Sequence, residues 1–592
     1  MSILVATQAR LDAPQARGPT VQPGFSRAGS TLAVLFSIHL RLARGLLFAL
    51  SLAGPSVSTA QSDPTTPASA ASSAPVPLPS FAELEAQGAK IGAIRVVARD
   101  IFDLADPQEN KLLFRWANAL HIGTRPGVIE QALLFSSGEP VSVRLIEETE
   151  RVLRSTRYLY EVHIRPAAVH NGVVDIDVET RDSWTLDPGA SVSRSGGANS
   201  SAISLREYNL LGSGVAVSFG RSSTVDRSGN EFQISQDRAF GGWTSLSYSR
   251  ATNSDGRREA VAIAHPFYSL DSRWAAGATA SDDNRIDAVY NAGVVQSQFR
   301  HRLQRADVYG GLSNGLVDGW VQRWSLGVNR REDRYAVEPG LTAPAQLPAD
   351  ETLIGPYVRY ELIEDRFRTL RNRNLIERPE TFALGLATSL QIGRASQSWG
   401  STGDAWLYDG SISRGFEPAD QRTLVASARI TGQYQQGSVQ RQQLGARLQY
   451  YQPQGPHYLF YASAAADHLT HPGLTDELLL GGDSGLRGYP LRYQSGHNRA
   501  LFTIEERAYS DLYVWRLFRV GGAAFADLGR AWGGDATNTM KPGWISSVGV
   551  GLRIFSVRAA FSNVIHLDIA FPNDPDVNVK KVQFLVKTKT SF

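Results

Sequence analysis

The chain of 592 residues has no cysteine. Disulfides and thiolate metal sites are therefore excluded, and a chain that crosses an oxidising compartment unfolded carries no thiol to mispair. Methionine is scarce, at 2 residues. Charge of one sign is lacking too: 60 Lys and Arg stand against 57 Asp and Glu, and the net +3 leaves no footprint for nucleic acid or another polyanion. After residue 54 no apolar run reaches the ~18 residues that a spanning helix requires. If the protein crosses a membrane, it does so as a β-barrel. Signatures of catalysis are missing as well: there is no HExxH, no nucleophile elbow, no Gly-Lys-Ser/Thr phosphate loop and no paired-histidine metal site, and His163 and His170 stand apart across a turn. No catalytic, cofactor-binding or metal-binding residue is assigned, and enzyme is the weaker class.

What the chain does have is glycine (54), tyrosine (20) and tryptophan (11), with a hydrophobic fraction of 42% that is spread rather than blocked. From about residue 187 to 592 the signal is alternation. Val215, Val217 and Phe219 interleave with Ala216, Ser218 and Gly220; Phe382, Leu384, Leu386, Leu390 and Ile392 share one parity; Val548, Val550, Leu552 and Ile554 do the same. A period of two with one apolar face suits barrel strands that show lipid one side and a polar lumen the other.

Ahead of this region, Arg41 and Arg44 precede the apolar stretch 45–54, and Ser58-Thr59-Ala60 offers small residues for cleavage, so 1–60 reads as a signal segment. Residues 61–89 read as a Pro/Ala/Ser-rich linker. Residues 90–182 read as an α+β domain in β-α-α-β-β order: a strand around Ile94–Val97, a helix over Pro126–Phe135, a second over Val143–Leu153, and two strands flanking the turn signal Asn171-Gly172. An insertion between Asp100 and Thr124 carries Leu112, Leu113, Phe114 and Trp116, read as extra domain core in preference to a client-binding patch.

Two motifs stand out late in the chain. One is Gly481-Gly482-Asp483-Ser484-Gly485-Leu486-Arg487-Gly488-Tyr489-Pro490, a lone arginine in a glycine-rich loop that can fold back on itself. The other is Phe525-Ala526-Asp527-Leu528-Gly529, whose Asp527 is the obvious partner for Arg487. Together they resemble the loop and acidic strand motif of the BamA/TamA superfamily of outer-membrane barrels (the bacterial surface antigen family). The stretches 150–160 and 174–186 resemble a polypeptide-transport-associated (POTRA) domain, of which only one fits. Leu205–Gly214 resembles the hairpin that opens barrels of this superfamily, and His265–Trp274 a recurrent early-strand motif. The end of the chain, with Val582, Phe584, Val586, Thr588, Thr590 and Phe592 on one parity, resembles the β-signal of outer-membrane proteins. Leu585 breaks its polar face and Thr588 and Thr590 weaken its apolar one, which together predict loose pairing of the last strand.

The resemblance implies a mainly β fold, a transmembrane antiparallel barrel of about sixteen strands over 187–592 behind one periplasmic POTRA-like domain. It implies that Gly481, Gly482, Leu486, Arg487, Gly488 and Tyr489 form a lumen loop latched to Asp527 and Glu505, that Phe525 and Gly529 belong to the family strand motif, and that Phe584, Val586 and Phe592 carry the β-signal. Glu505 is preferred to Glu506 as the second lumen acid. The partners implied are unfolded outer-membrane or secreted polypeptides and outer-membrane lipid, with periplasmic accessory proteins allowed and no cofactor. Three roles share the fold: assembly of barrel proteins through a lateral seam, export of one partner as in two-partner secretion, and a structural or adhesive barrel without transport.

Overall fold

The computed structural model describes residues 78–592 apart from 196–197, 225, 292–293, 483, 535–542, 558–563, 574, 577–578 and 590–592. The expected signal segment, its cleavage site and the terminal Phe592 lie outside the described residues.

The first element is a short helix, α1 (Phe81–Ala86), started by a capping box in which Ser80 and Glu83 satisfy each other's amides. It places Leu84 in the core of an α+β domain, so the linker ends earlier than the expected residue 89. Strand β1 (Lys90–Arg99), helices α2 (Leu112–Leu120), α3 (Pro126–Glu130) and α4 (Val143–Ser155), and strands β2 (Leu159–His170) and β3 (Val173–Asp182) follow. The helix expected over 126–135 stops at Glu130, and the chain then turns so that Ala132 and Phe135 enter the core. Asn171 and Gly172 both take positive φ, +50° and +77°, as a tight hairpin demands. The sheet order is β1-β3-β2, with β1 parallel and β2 antiparallel to β3. Val174, Ile176 and Val178 of β3 point into the core while Asp175, Asp177 and Glu179 point away, which is the period of two written in the sequence.

Beyond the domain, the described residues form a closed barrel of twenty strands, from Leu186–Ser195 to Gln583–Lys589, with the last hydrogen-bonded to the first. The expectation of about sixteen is corrected: alternation reports which face a residue takes and not how often the chain turns. Neighbours in sequence pair antiparallel, so connections alternate between the mouth nearer the domain and the far mouth. Outward faces are apolar and inward faces polar. On Ile545–Ser556, Val548, Val550 and Leu552 are exposed while Ser547 and Arg553 are buried. One expected strand is not continuous: Phe382 lies in a short hairpin, Phe367–Leu370 with Glu380–Ala383, and the barrel strand begins only at Ala387.

The domain is seated on the near mouth by polar contacts to turns. Asp182 accepts from the Thr124 amide at 2.7 Å, and Thr124 Oγ1 accepts from Asn209 Nδ2 at 2.8 Å. Gly212 has φ +71°, and a Cβ there would lie 2.2 Å from the Gly123 carbonyl oxygen, so only glycine permits this approach. On the next side, Glu148 accepts the Leu270 amide at 2.9 Å and Arg144 pairs with Asp271. Burial pushes the Glu148 carboxyl above its ordinary range, against the pull of the Leu270 amide and of Arg151 and Arg144. The two early motifs, 205–214 and 265–274, thus supply docking turns for the domain.

Candidate functional site

Among the described residues, one long connection from each mouth folds into the barrel lumen. From the far mouth comes 471–497, with the glycine-rich motif at its tip. A two-stranded ladder, Leu478–Leu480 with Gln494–Gly496, forms its stem. Gly481 has φ +115° and a Cβ there would lie 2.3 Å from the Pro490 carbonyl oxygen, so the stem closes only around glycine. Leu480, Leu486, Tyr489 and Tyr493 are buried against Ala531 and Ile545 of the wall. Tyr489 Oη donates to the Ser546 carbonyl at 3.1 Å. Gly529 belongs to this packing: a Cβ there would press on Leu480 at 3.0 Å. Arg492 reaches Asp226 of an early far-mouth turn at 2.8 Å.

This stem delivers Arg487 to the wall strands Asn498–Val514 and Phe518–Trp532. Its Nε and Nη2 donate to the two oxygens of Asp527 at 2.7 and 2.8 Å, and its Nη1 donates to Glu505 Oε1 at 2.8 Å. The guanidinium lies 3.4 Å from the centroid of the Phe525 ring. Asp527 also accepts from Thr503 Oγ1 at 2.8 Å. All three charged groups are buried. Phe502 and Ile504 face outward, and the pleat puts Glu506 on their side and Glu505 on the inward one.

The network continues past the expected residues. Glu505 Oε2 accepts from Arg507 Nε at 2.9 Å, and Arg507 Nη1 donates to the carbonyl of Arg373 at 2.6 Å. Arg373 belongs to the near-mouth connection 365–386, which folds inward. Tyr509 Oη donates to the Asn372 carbonyl at 2.9 Å and Tyr451 Oη to Asn374 Oδ1 at 3.1 Å. Ile376 is fully buried beside Tyr451, Tyr461, Tyr509 and Phe555. Glu380 holds the turn from within, accepting the amides of Arg373, Asn374 and Leu375 at 3.0–3.1 Å. The two inward loops are thus joined through Arg487, Glu505 and Arg507, with Asp527 completing two cations against two anions. The domain touches the lower loop: the Arg151 guanidinium lies 5.1 Å from the Phe367 ring, and Tyr160 packs on the same cluster as Ile376. Sequence reasoning missed this loop, although Arg371-Asn-Arg-Asn-Leu-Ile-Glu-Arg-Pro379 interrupts the alternation and signals it.

The last strand also meets the upper loop. Lys587 Nζ donates to the Gly482 carbonyl at 2.9 Å. Leu585 is buried with Phe525 and Ala570, so the residue that breaks the polar face of this strand packs under the arginine's aromatic support. The loose pairing expected from it does not appear on the side of strand Val564–Pro572, where the two pair without a register shift from Ala570↔Gln583 to Val564↔Lys589. Phe584 and Val586 face outward. Among the described residues no group of His, Asp and Glu could hold a metal ion.

No family model matches the chain, and no curated protein does. Solved structures do. The chain is similar to BamA from Haemophilus ducreyi lacking POTRA domains 1-3, at 12% identity over 84% of this chain and 84% of that one, with a TM-score of 0.40. It is similar to CdiB from Escherichia coli at 13% identity over 85% of this chain and 76% of that one, TM-score 0.44. CdiB from Acinetobacter baumannii gives 12% identity over 85% and 74%, TM-score 0.40. Likeness at this level says nothing about activity.

Proposed function

We propose that this chain is an outer-membrane barrel of the BamA/TamA type with a single POTRA-like periplasmic domain, and that it inserts or passes polypeptide clients. The near mouth then faces the periplasm, residues 1–60 are the export signal, and 90–182 form the POTRA-like unit. The observation that carries the reading is Arg487 held between Asp527 and Glu505 at the tip of an inward loop, inside a barrel whose first and last strands meet. An outward band including Phe219, Leu312, Leu390, Phe502, Ile504 and Val550 supports lipid contact, because strands in hydrocarbon need closed pairing and an apolar exterior. Strand β2 lies at the edge of the domain's sheet, and apart from Ile164, whose amide donates to Glu150 at 2.9 Å, it offers a client backbone hydrogen bonds that tolerate many sequences.

Occupation of the lumen by both loops favours the seam as the client's route. A client paired with an open strand edge enters lipid with its amides satisfied, whereas passage through the pore requires both loops to leave. Replacing 371–379 with a short glycine-serine link is therefore expected to raise single-channel conductance in planar bilayers several-fold. An unchanged conductance would show that the lower loop does not limit the pore. The role itself is tested by depletion followed by quantitative outer-membrane proteomics. Loss of many barrels is the expected result; loss of one secreted protein would assign export, and no change would assign a structural barrel. The chain itself should fractionate with the outer membrane and run heat-modifiably, and recovery as a soluble periplasmic protein would sink the barrel reading.

A further inference from the structure

Helix α2 turns its most apolar side away from the protein. At 100° per residue, Leu112, Trp116, Leu120 and Leu113 fall within one arc about 100° wide, and their exposures are 58, 56, 64 and 42%. The opposite side is the one that packs. Phe114 is buried and stacks on Phe102 with ring centroids 4.2 Å apart, and Asn118 exchanges hydrogen bonds of 3.1 and 2.8 Å with the Phe102 backbone. The expectation that Leu112, Leu113, Phe114 and Trp116 are all domain core therefore holds for Phe114 alone. A helix facing water shows the reverse arrangement, and an exposed apolar patch of this kind marks a contact surface.

Its position indicates what covers it. The segment before α2 is tied to the barrel turn at 515–517: Arg516 donates to Asp106 at 3.0 Å, and Leu517 packs on the Phe102–Phe114 pair together with Trp184. Beside that turn Leu512 and Trp515 are exposed, at the end of the strand whose Phe502 and Ile504 belong to the outward apolar band. The arc on α2 thus stands at the rim of the near mouth, close to the exposed Leu512 and Trp515, on the side of the helix away from Leu517. Arg115, exposed, flanks the arc about 60° from Leu112, as basic residues do where an interfacial helix meets phosphate headgroups, while Lys111 lies on the packed side with its Nζ 5.9 Å from the centroid of the Phe114 ring.

We propose that α2 is an interfacial helix, immersed by this arc in the phospholipid leaflet at the near mouth. This rests on the membrane-barrel reading. It fastens the domain to the bilayer as well as to the turns, and through Trp184 it lies two residues from the start of the first barrel strand. The absence of native cysteine makes the test direct. Leu113→Cys and Leu120→Cys variants of the full chain carry an environment-sensitive fluorophore in liposomes of phosphatidylethanolamine and phosphatidylglycerol. Ile504→Cys serves as the lipid control and Glu85→Cys as the water control. Both α2 sites are expected to be quenched by nitroxide-bearing lipid as strongly as Ile504, and several-fold less by iodide than Glu85. Full iodide quenching at both with Ile504 still in lipid overturns the proposal and leaves the barrel intact. Protection from both quenchers assigns the arc to a protein contact and overturns it equally, and a water-exposed Ile504 removes the barrel reading and this inference together.

Discussion

Arg487→Ala is expected to free the far-mouth loop while leaving the barrel closed. The substitution removes two hydrogen bonds to Asp527, one to Glu505 and the contact with the Phe525 ring. It leaves two buried carboxylates near each other, one of them still paired with Arg507. Breaking a buried pair in this way costs about 3–5 kcal/mol, more than an exposed pair contributes by several-fold. Converted to an opening equilibrium, the lower figure is on the order of 10². Trypsin cleavage after Arg492 in membrane-embedded protein should rise accordingly, with heat-modifiability retained and client handling impaired. Arg487→Lys should recover only part, because an ammonium cannot reproduce the bidentate fork on Asp527. Wild-type proteolysis and wild-type client handling in Arg487→Ala would together remove the latch from the mechanism.

A disulfide across the seam should stop barrel insertion outright. The first strand, Leu186–Ser195, and the last, Gln583–Lys589, are paired in the closed barrel, and the chain supplies no competing thiol. One cysteine between Gly189 and Ser193 and a second between Val582 and Thr588 form a small grid. Only pairs with Cα atoms within about 7 Å and side chains on one face can oxidise, so the grid reads out the register. Oxidation of a matched pair is expected to abolish insertion of client barrels, and reduction to restore it. Export through the lumen would survive the same lock. Full activity of both kinds in a crosslinked barrel would mean that the seam is not the working part.

Much of the site was legible because its chemistry is local and its geometry periodic. Arg487 sits in a motif with four glycines, and the pleat that turns Phe502 and Ile504 outward necessarily turns Glu505 inward. Strand number was not legible, since period two is the same in any barrel. The strand expected through Phe382, Leu384 and Leu386 failed for a related reason: buried Leu384 serves an inward loop and not a wall face, and parity cannot tell these apart. Leu585 looked like a flaw because its partner, Phe525, is about sixty residues away and comes under it only once the wall is closed. For α2 the composition was read correctly and its direction wrongly, because nothing in a sequence says which side of an apolar helix the solvent is on.

The meeting of the first and last strands also dictates how this protein must itself be made. Some four hundred residues separate the two edges, so their contact is among the most non-local the chain can form and comes late in folding. Until then Leu186–Ser195 stands with unpaired amides, a template for any passing strand. Gln583–Lys589, carrying Leu585 for the Phe525 pocket and Lys587 for the Gly482 carbonyl, is the segment fitted to displace such intruders. Maturation of the barrel is then a competition for one edge, settled when the terminal strand finds the loop already folded.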